Sequence, residues 1–377
     1  MVNNLTTDNR ILNSNSIAVF VNDTSQGFST SNLDCKLYMT VQDFNYSIQL
    51  PRQNLKQVGS QNLSFKGFNF QPDVELSFKY IPEVLGQNET NGHFVKRLGS
   101  ASDGGFLNFF SETLERNSNF YIMIDRSGAG QGHDIFDKMS FDEETMNLSG
   151  LECIAFGNCF PTAYGLNYSV GSMPVVSTNY ICSNVVTERI TGTFMDLPSI
   201  NLENGNNNNV GKCLFEIGKD TVASPTDPLI VNPVGSDSSV ILENLEVGGQ
   251  NLSGVHYIQS LDMSVDLPRA SLYGLGNDFS YSRKAQLPAN GRFSVSSLVS
   301  GLDSGVMTGV LTNDNDYNFE IKFQALNQDK NLTYKVEDAK LDSYNYGIAV
   351  NNFMTFNAEF SFEVTEDNGL KFRGTTY

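Results

Sequence analysis

The sequence predicts a mainly β protein built from two homologous β-sandwich or barrel domains, each carrying a short helix. Three observations support this. Apolar and polar residues alternate in many stretches of strand length. With 27 Phe, 15 Tyr and 32 Gly among 377 residues, abundant Asn, Ser and Thr, and few Lys- or Glu-rich runs, the composition favours half-buried strands and frequent turns. Third, the stretch VQDFNYSIQLPRQNLKQVGS at 41–60 recurs without a gap 217 residues later, as IQSLDMSVDLPRASLYGLGN at 258–277. Gln42/Gln259, Ser47/Ser264, Leu50/Leu267, Pro51/Pro268, Arg52/Arg269, Leu55/Leu272 and Gly59/Gly276 are identical in the two copies.

Residues 17–24 and 35–50 alternate as half-buried strands do. Pro51 ends the second of these, since it has no N–H for a ladder, and Gly59 and Gly276 are suited to turns that need positive φ. The repeat continues with LSFKYIPEVL (76–85) over FSVSSLVSGL (293–302), where Ile81/Leu298 and Leu85/Leu302 suit a strand running into a short helix. The first copy then carries an extra segment near 86–118, in which Phe106, Phe109, Phe110 and Leu114 fit one helical stripe. Alternation resumes with Phe120, Ile122 and Ile124 against Phe319, Ile321 and Phe323. A second insertion spans 126–146, after which 147–165 lies over 331–347 with a two-residue gap. Both copies finish on alternating strands. Residues 188–250, with ENGNNNN at 203–209, read as loops between short strands. The predicted domains are 1–187 and 188–377.

The formal net charge is −18, shared as −8 over 1–188 and −10 over 189–377. Such a chain repels phosphate, which argues against conventional nucleic-acid binding. No basic start followed by an apolar core and no membrane-length apolar run is visible. Five cysteines without a secretion signal suggest free thiols.

No motif for chemistry emerges. Gly128, Gly130 and Gly132 follow an apparent strand, but no Gly-Lys-Ser/Thr follows them. Cys153 and Cys159 have no second pair at metal spacing, and His93, His133 and His256 are scattered. The acids of 134–144 and 313–316 lack the calcium-loop glycine and terminal glutamate. No serine sits in a nucleophile elbow. The expectation is a non-enzyme without catalytic residues, metal or cofactor. Arg52 and Arg269, repeated after Leu-Pro, suit either a bidentate bond to a carboxylate of a neighbouring domain or subunit, or an ordinary ion pair within one domain.

The pattern QDFNYSIQLPRQNLKQVG, the strands QPDVELSF and LPANGRFSV, and the terminal pair NCFPTAYGLNYSVGSMPVVSTNYICSNV together resemble the tail tube proteins of long-tailed bacteriophages, in a form with two fused tube domains. The second copy departs at its end, where Asn351-Asn352-Phe353-Met354-Thr355 replaces the Gly-Ser-Met-Pro turn. The resemblance implies a tail-tube-like fold and a virion structural role. Single-domain relatives form six-fold rings, so fused pairs imply trimeric, pseudo-hexameric rings stacked around an acidic channel for genomic DNA. Implied partners are further copies of the chain, tape measure and tail terminator or tip proteins, and double-stranded DNA in passage, with assembly in the host cytoplasm and no membrane. Two other readings fit the same residues: another tail or adaptor structural protein, and a carbohydrate-binding adhesive β-sandwich.

Overall fold

The computed structural model describes residues 16–23, 34–37, 41–49, 52–56, 58, 63–68, 73–82, 107–108, 118–125, 140–142, 145–147, 151–189, 194–197, 211–215, 239–243, 246–247, 250–251, 258–272, 282–299, 316–324, 330–348 and 353–376. Thirteen of the 25 strands among the described residues carry the repeated part of the fold. In the first half they are β1 (Ile17–Asp23), β2 (Val41–Gln49), β3 (Asp73–Tyr80), β4 (Ser118–Ile124), β5 (Glu152–Ser169) and β6 (Val175–Arg189). In the second they are β7 (Ser239–Glu243), β8 (Ile258–Asp266), β9 (Ala289–Leu298), β10 (Tyr317–Gln324), β11 (Lys330–Gly347), β12 (Thr355–Val364) and β13 (Leu370–Thr376).

Pairing repeats with an offset of six strands. An antiparallel sheet runs β2–β3–β6–β5 and continues β8–β9–β12–β11, so each strand of the first set has its counterpart in the second. The N-terminal part of β5 turns into a second layer with β4 and β1, and that of β11 does the same with β10 and β7. β13 runs along β11 there, as the end of β6 runs along β5. The short hairpins 52–56/63–68 and 269–272/282–285 share a register too, Arg52 facing Phe68 and Arg269 facing Ala285.

Long strands cross from one layer to the other by bending, and β-bulges supply the bend. β5 has one between Phe156 and Cys159 against β4, and one between Pro161 and Ala163 against β6. β11 has its own between Val336 and Ala339 against β10, and between Leu341 and Ser343 against β12. Matching bulge to bulge equates β5 and β11 at an offset of 180 residues, Tyr164 with Tyr344 and Gly165 with Asn345. This corrects the expected alignment of Gly165 with Gly347, which needed a two-residue gap.

Aromatic rings fill the space between layers. Phe120 of β4 lies with its ring centre 4.8 Å from both Phe78 and Tyr180, and in the second half Phe319 lies 4.7 Å from Phe293 and 5.7 Å from Phe360. All six are buried; truncating one to Ala removes about 3–5 kcal/mol of packing. The apolar core is continuous across the junction of the halves, because Tyr164 and Tyr168 of β5 meet Phe372 and Phe323 edge to face.

No α-helix occurs among the described residues. Leu298 is the last residue of β9 rather than a helical position, and in the proposed stripe only Leu107–Asn108 is described, as strand. Phe106, Phe109, Phe110, Leu114, Leu85 and Leu302 lie outside the described residues. The closing hairpin β11–β12 of the second half forms despite the altered turn sequence.

Candidate functional site

Strand geometry sends alternate side chains to opposite faces. On the eight-stranded sheet one face holds the aromatic core and the other faces solvent. Its exposed positions carry Asp43 and Asn45 on β2, Glu75 and Lys79 on β3, Ser177 and Asn179 on β6, and Asn167 on β5. They continue with Asp262, Ser264 and Asp266 on β8, Asn290 and Arg292 on β9, Glu359 and Glu363 on β12, and Asp342, Ser343 and Asn345 on β11. Short polar side chains thus share the face with carboxylates, which come from β2, β3, β8, β12 and β11.

Cross-strand hydrogen bonds knit this face. Ser47 donates to Glu75 at 3.4 Å, Ser343 to Glu359 at 3.1 Å and Ser361 to Asp342 at 2.8 Å. Asn167 donates its amide to Asp262 at 3.0 Å across the β5–β8 junction, and Asn357 donates to Asn345 at 3.0 Å. A trough of about 1010 Å³ opens on the second half of the face, lined among others by Asp262, Arg292, Asp342, Glu359 and Glu363. The acids Asp43, Glu75, Asp262, Asp266, Asp342, Glu359 and Glu363 outnumber Lys79, Arg292 and Lys340, and Lys340 is held 2.9 Å from Asp316. Chemically this is a polar surface with an excess of acids. To an anionic polymer it presents more like charge than opposite charge.

The junction itself is a regular antiparallel ladder, in which Ala163, Tyr164, Gly165, Leu166, Asn167, Tyr168 and Ser169 face Asp266, Val265, Ser264, Met263, Asp262, Leu261 and Ser260. Backbone bonds close both ends, Leu267 N–H to Thr162 at 2.7 Å and Val170 N–H to Gln259 at 2.9 Å. Beside it sits Arg269. Its guanidinium donates to the Pro161 carbonyl at 2.6 Å and to the Arg283 carbonyl at 3.1 Å, and lies over the Phe160 ring at 5.2 Å. Burial, and after it the positive charge of Arg283, pulls its pKa down to about 10, so it stays cationic at neutral pH. The partners described for it are carbonyls and a ring. Arg52 occupies the equivalent strand position, but its side chain lies outside the described residues.

The remaining sequence candidates are described only in part. Cys153, Cys159 and Cys182 are buried free thiols, and burial, then Cys182, which faces it across the β5–β6 ladder, pushes the Cys159 thiol up. Gly128, Gly130, Gly132, His93, His133 and His256 lie outside the described residues. Sequence reasoning singled out the two arginines and the overall acidity. It missed the junction and the continuous acid face, whose only signal was the polar half of each strand's alternation.

No protein-family model matches the chain, and no curated protein matches it. Among solved structures, a chain in the tail of an empty gene transfer agent particle, refined with C6 symmetry, is similar at 10% identity with a TM-score of 0.24, covering 34% of this chain and 91% of that one. A chain from the virion of a native gene transfer agent particle is similar at 9% identity with a TM-score of 0.25, covering 37% and 97%.

Proposed function

We propose that this protein is a major tail tube subunit of a long-tailed bacteriophage or phage-like particle. Residues 1–187 and 188–377 are its two tube-like domains, and three chains close one ring of six domains. The observation that carries this reading is the β5–β8 junction, which splices two four-stranded sets of the same order edge to edge inside one chain. A unit whose one edge fits the other edge of its like makes a head-to-tail chain, and such a chain ends in a ring when the rotation closes. Closure also covers sheet edges that otherwise invite aggregation.

In this reading the acid, serine and asparagine face of the sheet lines the channel. Negative charge there keeps passing duplex DNA from adhering, because contact would confine like charges in a narrow pore. Arg269 serves the contact between domains, and Arg52, its counterpart in the repeat, serves the same contact between chains. Further copies of the chain are the main partner. Tape measure and terminator or tip proteins follow from the role, and the site of action is the virion tail after assembly in the host cytoplasm.

The test is negative-stain electron microscopy of the purified protein, paired with its mass in solution. Rings or tubes with six-fold views and three chains per ring are expected. A stable monomer that binds glycans would replace the tube reading with an adhesive one.

A further inference from the structure

The β5–β8 junction has a counterpart edge at each end of the eight-stranded sheet. Among the described residues β2 is paired on one side, by β3, and the C-terminal part of β11 on one side, by β12. Their counterparts β8 and β5 are joined to each other. Burial shows what the joint covers. Met263 and Val265 on β8 are 0% exposed, whereas Tyr46 and Ile48, at the same positions of β2, are 40% and 45% exposed. On the opposite edge Tyr164, Leu166 and Tyr168 are buried, whereas their counterparts Tyr344 and Tyr346 are half-buried and Ile348 is 77% exposed.

We infer that β11 of one chain pairs antiparallel with β2 of a second copy, in the register of the β5–β8 ladder. Moving that ladder by the two repeat offsets sets Ser343 opposite Gln49, Tyr344 opposite Ile48, Asn345 opposite Ser47, Tyr346 opposite Tyr46, Gly347 opposite Asn45 and Ile348 opposite Phe44. The result is coherent on both faces. Tyr344, Tyr346 and Ile348 meet Ile48, Tyr46 and Phe44, forming one apolar row where each edge alone leaves apolar surface in water. Asn345 meets Ser47, and Gly347 meets Asn45, continuing the polar ladder of the solvent face. A slip of one residue would set Tyr344 and Tyr346 against Ser47 and Asn45, and would lose both rows at once. The occupant is therefore a second copy of this chain. The number of copies that close the ring rests on the tube reading, while the register rests on the ladder alone.

The experiment is oxidative crosslinking of the full chain carrying Ser47→Cys with Asn345→Cys, since directly opposed strand residues are within disulfide reach. Asp43→Cys with Asn345→Cys, displaced by about 13 Å along the strand, is the off-register control, and the chain with only its native cysteines is the blank. An interchain disulfide in the first pair, absent from the other two and saturating at three chains, is the expected result. Crosslinking of that pair into species other than three-chain rings keeps the register and overturns the ring of three. Three-chain rings under the microscope without that crosslink overturn the register and leave the tube reading. A chain that stays monomeric at hundreds of micromolar without crosslinking overturns both. Ile48→Asp gives an independent readout: assembly should need at least tenfold more protein while the monomer's far-UV spectrum is unchanged, and unaltered assembly would count against the seam.

Discussion

The hydroxyls of Tyr164 and Tyr334 lie 2.9 Å apart in the buried core, one on β5 and the other on β11, so that a buried side-chain hydrogen bond adds to the β5–β8 ladder in joining the two halves of the chain. Burial pushes the ionisation of Tyr334 well upward, and the bond to Tyr164 offsets only part of this. Removing one hydroxyl strands the other in an apolar site. Tyr164→Phe should therefore destabilise by about 1–3 kcal/mol. The double variant with Tyr334→Phe should cost less than the two single changes added, because no orphaned hydroxyl remains. Denaturant unfolding in a double-mutant cycle measures the coupling; strict additivity would mean the bond does not join the halves.

Arg269 gives a second, independent prediction. Its guanidinium reaches two carbonyls in different directions, at Pro161 and Arg283, and a planar fork does this where a single ammonium does not. Arg269→Ala should cost about 1–3 kcal/mol through the loss of these two hydrogen bonds, and Arg269→Lys should restore less than half of it. Full rescue by lysine in thermal unfolding would show that only the charge matters there. Under the tube reading, Arg52→Ala should instead weaken assembly, seen as a smaller mass in solution at unchanged melting temperature.

The repeat was legible at 41–60 and 258–277 because turn residues and a shared Leu-Pro-Arg hold its register, and the hairpins after Arg52 and Arg269 pair alike. It became illegible along β5 and β11. There the bulged residues are Thr162 in one copy and Asp342 in the other, and nothing in either type announces a bulge, so two glycines, Gly165 and Gly347, drew the alignment off by two. The β5–β8 junction was hidden for a different reason. It joins strands that are not neighbours in the chain, and alternation tells which side of a strand is buried without telling which strand lies beside it. The acid face was half legible: each polar position was visible, and only the pairing showed that they form one surface.

Gly291 tests the packing of β9 on β12. It faces Phe362 across the ladder, and a Cβ placed there would overlap the Phe362 ring, which covers the glycine. Phe362 is itself 3% exposed, so the ring has little room to retreat. Gly291→Val should cost about 1–3 kcal/mol by overpacking. The companion change Phe362→Leu should recover part of this loss. Urea midpoints of the three variants decide it, and a neutral Gly291→Val would show that the ring moves freely.

Glu337 predicts an acid-dependent loss of stability. Burial alone would raise its pKa, but hydrogen bonds and charges from Lys335 and Lys371, at 2.7 and 2.6 Å, outweigh it and hold the carboxyl below the usual glutamate value. A carboxyl whose pKa is lower folded than unfolded adds stability that is complete above the unfolded value, about 4.3, and that disappears as pH falls through the folded value. Wild type should therefore melt above Glu337→Gln at pH 7, and the gap should close as pH drops below about 4. A gap that is constant from pH 7 to pH 3 would assign the difference to packing.

Charge on the sheet face bears most directly on function. Asp43, Glu75, Asp262 and Glu363 are exposed, and together they draw from β2, β3, β8 and β12, so changing all four to Lys alters the face without entering the core. If this face lines the channel, rings should still assemble, since none of the four belongs to the apolar rows of the inferred seam. Duplex DNA should then be retained by the variant tubes with an affinity that falls steeply with salt, as phosphate contacts require, while wild-type tubes retain none. Particles carrying the variant should deliver their DNA less efficiently. Unchanged delivery together with no gain in DNA retention would place these acids on an outer surface, and the channel lining would have to be sought elsewhere in the chain.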